Sequence, residues 1–434
     1  MNLPYFIARR VALSGSRSLS RLIIRIAVVA VALSLTVMII ASAVITGFKH
    51  QIGEKIFGFW GHIHITSAQV NRTTGEASPI ELNQPFYPGL EALEPIAYLE
   101  TNELAGFELP FERKVETHGA IRHIQAFALK PGIIKTKSEI EGIILKGVGE
   151  DFDWSFFNQY LEEGAQLDLS GDSLATDGVI ISRQTANRLQ LGIGDRLIFS
   201  FVQDGDLYPR RFTVRGIYKT GLEEYDRKFA LVDIRKAREL LGWEDWQIGG
   251  FEVFIDDLRD LDILTEYIYQ EELPASLYCE SIREKFPAIF EWLALQDVNE
   301  IVILVLMVVV ALINMVTALM ILILERTNMI GTLKALGMTN WGIRSIFLYH
   351  AAYITMTGLF WGNLIGISFC LLQQHFGLIR LSEENYYLSV APVELSAWTL
   401  MLLNLGALLV IMLFLTIPSW LVSRISPVKA IRFK

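Results

Sequence analysis

Apolar residues gather in four runs along this chain, each close to the ~20 residues a helix needs to cross a bilayer. The first, Ile26 to Ile45, holds no charge. The second, Ile301 to Leu324, has 24 uncharged residues, about 36 Å of helix at 1.5 Å per residue. The third, Ile346 to Leu372, contains one ionisable residue, His350. The fourth, Ala397 to Val422, carries Pro418 near its end, where membrane helices tolerate proline. These lengths predict transmembrane helices. Ala41-Ser42-Ala43 in the first run fits a signal-peptide cleavage site. The long basic lead and the apolar continuation through Val44 and Ile45 favour an uncleaved anchor. In the third run Gly358, Gly362 and Gly366 recur every four residues, a spacing that lets another helix approach closely.

Between the first two runs the period changes. Trp60 to Thr66 alternates like a strand, with Ile63 and Ile65 on one face and His62 and His64 on the other, read as polar. Two histidines without a third ligand predict a polar strand face rather than a metal site. Further strands are predicted at Ala126–Leu129, Gly142–Gly147, Val179–Ser182, Arg196–Val202, Arg211–Tyr218 and Gly250–Ile255. Helices are predicted at Gln184–Leu191, Ile234–Leu241 and Leu258–Glu272, and Phe286–Glu300 leads helically into the second run. The pattern is α+β with mostly antiparallel pairing.

Charge orients the spans. Arg9, Arg10, Arg17, Arg21 and Arg25 precede the first span. Arg326, Lys334 and Arg344 lie between the second and third against Glu325 alone, and Arg424, Lys429, Arg432 and Lys434 follow the fourth. The rest of the chain keeps 26 of the 38 basic and 46 of the 47 acidic residues. The positive-inside rule then puts both termini and the 325–345 loop in the cytoplasm. The predicted order is a cytoplasmic segment 1–25, span 26–47, outside domain 48–297, span 298–324, cytoplasmic coupling loop 325–345, span 346–372, outside loop 373–396, span 397–422 and cytoplasmic tail 423–434.

Composition narrows the function classes. The net charge of −9 argues against nucleic acid as a general partner. Two cysteines, Cys279 and Cys370, exclude a disulfide-built fold. There is no phosphate-binding loop: Gly132 to Ser138 lacks the second glycine, and Leu169-Ser170-Gly171 has no such loop beside it. G-x-S-x-G, H-E-x-x-H and C-x-x-C motifs are absent. The acidic stretch Glu223, Glu224, Asp226 reads as a solvated loop. Catalytic residues and metal ligands are therefore assigned to none of the side chains, and any work on a substrate draws its energy from elsewhere.

At residues 325–338 the chain reads Glu-Arg-Thr-Asn-Met-Ile-Gly-Thr-Leu-Lys-Ala-Leu-Gly-Met. This resembles the cytoplasmic loop of FtsX-like ABC permeases, E-R-x-x-E-I-G-x-x-K-A-L-G, with Met329 where the family often has an acid. The ending Arg424 to Arg432, the start Phe6-Ile7-Ala8-Arg9-Arg10 with Thr46-Gly47-Phe48, and the outside segments Ile181-Ser182-Arg183 to Gly194-Asp195 and Val214 to Tyr218 are similar to the same family. The resemblance covers nearly the whole chain and is closest to the lipoprotein-releasing permeases (LolC/LolE type).

The resemblance implies a membrane α-helical protein with four transmembrane helices in a 1+3 arrangement and a large α+β periplasmic domain, a MacB/LolC-like porter with an inserted β-rich subdomain at roughly 150–225. It implies a non-catalytic permease subunit in a bacterial inner membrane, and extraction of lipoproteins for a periplasmic carrier (LolA-like). The implied partners are a cytoplasmic ABC ATPase (LolD-like), which would hold ATP and Mg, and a second permease copy or paralogue. A MacB-like efflux permease and an FtsX-like scaffold that activates a periplasmic hydrolase are the competing readings. Ile330, Leu333 and Leu336 stand at helical spacing with Lys334 and Arg326 on other sides, so with Glu325 they are the expected ATPase-coupling residues. The equivalent of the family's carrier-capturing loop is Gln203 to Arg210, shorter than expected and equally readable as a plain hairpin turn; Leu207, Tyr208 and Pro209 are its candidates. By analogy the first and second spans line the substrate cavity, which nominates Met38, Val44, Ile303 and Met307.

Overall fold

The computed structural model describes Phe6 and residues 19–69, 78–104, 107–135, 140–170, 177–203, 206–382 and 386–424. Arg9, Arg10, Arg17, residues 136–138, Gly171 and the tail from Ile425 to Lys434 lie outside them. In chain order the elements are α1 (Leu19–Trp60), β1 (Ile63–Ser67), β2 (Ile80–Glu81), β3 (Ala97–Leu104), β4 (Phe107–Glu116), β5 (Ile121–Lys135), β6 (Ile140–Val148), α2 (Ser155–Tyr160), β7 (Leu161–Gly164), β8 (Gly178–Ser182), α3 (Arg183–Leu189), β9 (Arg196–Gln203) and β10 (Asp206–Tyr218). Then come α4 (Glu223–Lys228), β11 (Phe229–Asp233), α5 (Ile234–Leu241), β12 (Gln247–Ile248), β13 (Gly250–Ile255), α6 (Leu261–Tyr267), β14 (Leu277–Ser281), α7 (Ile282–Lys285), α8 (Pro287–Glu325), α9 (Thr327–Ala335), α10 (Asn340–Phe376), α11 (Ala397–Ser419) and α12 (Leu421–Arg424). Two compact units result: Met1–Gln51 with Glu291–Leu381 and Val390–Lys434, and Ile52–Phe290 with Ser382–Ser389.

In the helical unit, α1, α8, α10 and α11 are each long and apolar enough to cross a membrane. The core stripe of α1 is Ala27, Val31, Leu35, Ile39 and Ala43, four residues apart and all buried. It lies on the glycines of α10. A Cβ on Gly358 would stand 2.7 Å from Val31 Cβ, one on Gly362 2.9 Å from Leu35 Cβ, and one on Gly366 3.3 Å from Ile39 Cβ. Both series ascend together, so α1 and α10 run parallel. Small residues allow this approach, and backbone-level packing substitutes for the hydrophobic force that lipid does not supply. Polar contacts set the other pairs. Ser42 Oγ donates to Glu300 Oε1 at 2.6 Å, and Lys49 Nζ pairs with the Asp297 carboxylate at 2.5 and 2.7 Å, which makes α1 and α8 antiparallel. Arg344 donates to Thr416 O at 3.1 Å, while Asn363 meets Asn404, so α10 and α11 are also antiparallel. Outward faces carry exposed apolar side chains such as Leu33, Val305, Phe360 and Leu413, the inverse of a soluble bundle.

The second unit is built on a ten-stranded sheet in the order β14-β1-β13-β5-β6-β11-β8-β10-β7, with β9 joined to β10 and β5. Its pairs are antiparallel except β6–β11 and β8–β10. Residues 150–225 contribute β7, β8, β9 and β10 to this same sheet. The six strands predicted from Ala126 to Ile255 each fall within a strand of the structure, while the Trp60–Thr66 alternation becomes a strand only from Ile63, Trp60 being the last residue of α1; Gln190 and Gly242 close α3 and α5 in the left-handed conformation. One expectation is corrected. The side expected to be polar is not wet: His64 of β1 is 0% exposed and His62, just before the strand, is 7% exposed. The strand is flanked by β13 and β14 and covered on both sides, so alternation of residue type did not mean alternation of burial.

Candidate functional site

The residues expected to couple to an ATPase fall on α9 and its ends. Arg326 is the single residue between α8 and α9 and leaves the helical conformation, so the chain turns there. Ile330 is fully buried, in one cluster with Ile343 and Phe347 of α10, and Leu333 packs partly against it. Lys334 Nζ donates to Ser423 O at 3.0 Å. Leu336 stands beyond the helix, as its C-cap, and is 79% exposed. The apolar spacing of Ile330, Leu333 and Leu336 therefore does not make one face. The helical period stops at Ala335, and Gly337 at φ +86° redirects the chain. Thr339 accepts from Gly342 N and starts α10. Exposed apolar groups at this end include Leu336 and Trp341, with Leu324 of α8 and Trp420 after α11, and Arg344 lies over the Trp341 ring at 5.6 Å. Trp341 was missed from sequence; a tryptophan just past an N-cap on a basic loop was the signal available. Glu325 ends α8 and is exposed. The Nε of Arg326 and both ring nitrogens of His350 are buried with no hydrogen-bond partner among the described residues.

The cavity candidates separate by burial. Met38 is 4% exposed and lines a small gap inside the four-helix unit with Val31, Ser34, Leu35, Val308, Ala311, Leu359, Ala407 and Ile411. Val44, Ile303 and Met307 are half-buried. The outward side of α8 is formed instead by Ile301, Val302, Val305, Leu306, Val309 and Ile313. Analogy to whole spans did not resolve which helix face points inward.

Leu207, Tyr208 and Pro209 are not in a loop. They belong to β10, opposite Val202, Phe201 and Ser200 of β9, and only residues 204 and 205 separate the strands. Tyr208 and Pro209 are exposed on this ladder.

Sequence reading also missed a buried polar cluster where α1 ends in the second unit. Lys146 and Glu252 are both 0% exposed and pair at 2.7 Å. Lys146 Nζ donates to Phe59 O at 2.6 Å, and Gln125 Nε2 to Glu252 Oε2 at 2.8 Å. Lys146 also stands 5.3 and 5.2 Å from the centres of the Phe59 and Trp60 rings. His64 Nε2 lies 2.5 Å from Trp60 O, so that nitrogen carries the proton, and Nδ1 accepts from Lys285 Nζ at 2.6 Å. The Lys146 ammonium and a neutral imidazole thus meet the C-terminal carbonyls of α1, the negative end of its dipole, with Lys285 behind the imidazole. Burial drives the His64 pKa well below the usual value, helped by Lys285. Burial, with Arg122, lowers His62 to about 3. Burial also lowers Lys146 and raises Glu252, each opposed by the other's charge. Among the described residues there is no group of three or more His, Cys, Asp or Glu able to hold a metal ion.

Two family models match the chain. The FtsX-like permease C-terminal domain matches residues 301–427, and the MacB-like periplasmic core domain matches residues 26–266, more than half of the sequence. The chain is 23% identical over 99% of both sequences to the lipoprotein-releasing system transmembrane protein LolE of Haemophilus influenzae. It is 22% identical to LolC of Xylella fastidiosa, over 94% of this chain and 93% of that one, and 22% identical to LolC of Neisseria meningitidis, over 94% of each. The MacB-like model, which takes in most of α1 and of the mixed sheet, and the FtsX-like model, which takes in most of α8 and all of α9 to α11, identify the chain as a member of the FtsX-like permeases that carry a MacB-like periplasmic core domain.

Proposed function

We propose that this chain is the permease subunit of an ATP-driven complex that extracts lipoproteins from the bacterial inner membrane and hands them to a periplasmic carrier. The observation that carries this reading is the near full-length similarity to proteins named for lipoprotein release. In this reading α1, α8, α10 and α11 span the membrane as one helix plus three, with both termini in the cytoplasm and the ten-stranded sheet in the periplasm. Parallel α1 and α10 support it, since a chain with α1, α8, α10 and α11 as successive spans must cross alternately. A separate ATPase binds ATP and Mg, and its closure moves α9. A second copy or a paralogue completes the wall of the substrate cavity.

The physics requires an external energy source. Each acyl CH₂ moved from lipid to water costs ~0.8 kcal/mol, so a lipid-anchored substrate does not leave spontaneously. Leu336 and Trp341 are the exposed apolar groups through which α9 meets the ATPase, and Ile330 ties that helix to the bundle core. Reconstitution tests the reading. Proteoliposomes that contain the chain, its ATPase and a triacylated lipoprotein are expected to release the lipoprotein to a soluble carrier only with ATP. ATP hydrolysis without release would overturn it in favour of efflux or hydrolase activation.

A further inference from the structure

Two polar groups buried near one end of the helical unit have no hydrogen-bond partner. His350 of α10 is 3% exposed, and neither of its ring nitrogens finds a donor or acceptor among the described residues. Arg326, the residue between α8 and α9, is half-buried, and its Nε is equally unmatched. The Arg326 charge acts on the His350 ring, and both residues belong to the same compact unit. An imidazole and a guanidinium left unmatched are costly inside a packed bundle. An ionisable side chain inside an apolar span points to a site.

Charge says what satisfies both groups. A neutral hydrogen-bonding partner serves the imidazole but leaves the cation uncompensated, whereas an anion serves both. The chain supplies almost no anion here: residues 1–25 and 423–434 contain no Asp or Glu, and 325–345 contains Glu325 alone, which is exposed. The oxygens of a phosphate match the planar N–H fork of an arginine, and a neutral imidazole donates one further N–H. Depth favours lipid as the source. His350 stands four residues past Ile346, where the third apolar run starts, about 6 Å along the helix. It is nine residues past Trp341, roughly 14 Å from the exposed group assigned to the ATPase contact. Tyr349 and Tyr353, 41% and 55% exposed, flank it on α10, and exposed tyrosine rings favour the headgroup level of a bilayer. Lys334 and Arg344 add positive charge at this end, so a zwitterionic headgroup would bring its own cation against them, and a net-anionic one would not.

We infer that Arg326 and His350 form a binding site for the phosphate of an anionic phospholipid in the leaflet at this end of the bundle. The guanidinium pairs with the phosphate and the imidazole donates to it, so the bound lipid braces the turn between α8 and α9 against α10. This moves Arg326 from the expected ATPase contact to a lipid contact. The inference rests on the proposed function only in taking α10 as a membrane span. The test takes the full-length chain, delipidated in detergent, with phosphatidylglycerol, phosphatidylcholine and inorganic phosphate as probes. Native mass spectrometry reads bound lipid, and thermal unfolding reads stability. The unaltered chain is expected to bind phosphatidylglycerol about tenfold or more tighter than phosphatidylcholine, and to gain thermal stability from it. Arg326→Gln and His350→Leu are each expected to lose about tenfold or more in phosphatidylglycerol affinity. His350→Gln, which keeps an N–H donor, is expected to retain most of the affinity, and Arg25→Gln, a change at an exposed cation of α1, all of it. Without lipid, His350→Leu is expected to be at least as stable as the unaltered chain, because an unmatched buried imidazole gives way to an apolar side chain. Its loss of binding is then not a loss of fold. Undiminished phosphatidylglycerol affinity in His350→Leu, or an equal loss in Arg25→Gln, would overturn the site in favour of diffuse attraction to a basic surface. Equal stabilisation by inorganic phosphate would overturn lipid as the source. No lipid binding, with copurification of the ATPase lost in both site variants, would overturn it in favour of a carboxylate of that partner. Extraction of the chain from membranes by alkaline carbonate without detergent would instead overturn the span reading.

Discussion

Thr36 Oγ1 donates a hydrogen bond to the carbonyl of Gly362 at 3.1 Å, so α1 and α10 touch at backbone level. The contact exists because Gly362 has no Cβ: one placed there would stand 2.8 Å from Ala32 O and 2.9 Å from Leu35 Cβ. A stripe of β-branched and leucine side chains on one helix therefore lies directly on a stripe of glycines on the other.

Gly362→Leu is expected to destabilise the detergent-solubilised protein by about 1–3 kcal/mol or more, because overpacking at a backbone contact has no slack. Gly406→Ala, with nothing within 4 Å of its added Cβ, is expected to leave stability unchanged or slightly raised. Thermal unfolding of the two variants side by side checks the pair.

Asn363 Nδ2 donates to Asn404 Oδ1 at 2.6 Å, and Asn404 Nδ2 returns the bond at 3.0 Å. Either single change to Leu leaves one amide without its partner between α10 and α11. A double-mutant cycle is expected to give a coupling of roughly 0.6–1.7 kcal/mol. A coupling near zero would show that the pair does not join the helices.

Lys146→Met leaves Glu252 buried beside Gln125 without its cation. The expected loss is about 3–5 kcal/mol, and Lys146→Met/Glu252→Gln is expected to recover much of it, because the pair is costly to break and cheap to replace. Denaturant unfolding monitored at tryptophan fluorescence reads both.

His62 and His64 are held neutral by burial, with folded pKa values depressed, that of His62 to about 3. The unfolded histidines take up protons near pH 6.5. Below that pH the unfolded state binds more protons than the folded one, so stability falls as pH falls, by up to ~1.4 kcal/mol per unit for each histidine. Above pH 6.5 this source contributes no slope. Unfolding of the whole protein between pH 7.5 and 5 is expected to show the decline, and His62→Asn/His64→Asn to flatten it.

What could be read from the sequence depended on the range of the interaction. Uncharged runs stand out because every residue of a membrane helix obeys the same solvent. The strands Gly142–Gly147 and Val179–Ser182 were legible from their short runs of Ile, Leu and Val, whereas the buried charge of Lys146 inside the first was not. The β3–β4 ribbon was not, since its residues follow no core pattern. His64 was misread because its partners, Trp60 O apart, come from Lys285, 221 residues away. On α9 the period was legible but its end was not: nothing in Leu333-Lys334-Ala335-Leu336 shows that the helix closes before Leu336, and that closure separates the anchoring Ile330 from the exposed Leu336.

The most direct test of the account measures ATP hydrolysis and lipoprotein release in the same proteoliposomes, for the unaltered permease and for Leu336→Asp. ATP-dependent release is expected from the first. From the second, release is expected to fall at least tenfold with thermal stability intact, since Leu336 lies outside the bundle core. Equal release from both would contradict the assignment of this end of α9 as the point where the ATPase drives extraction.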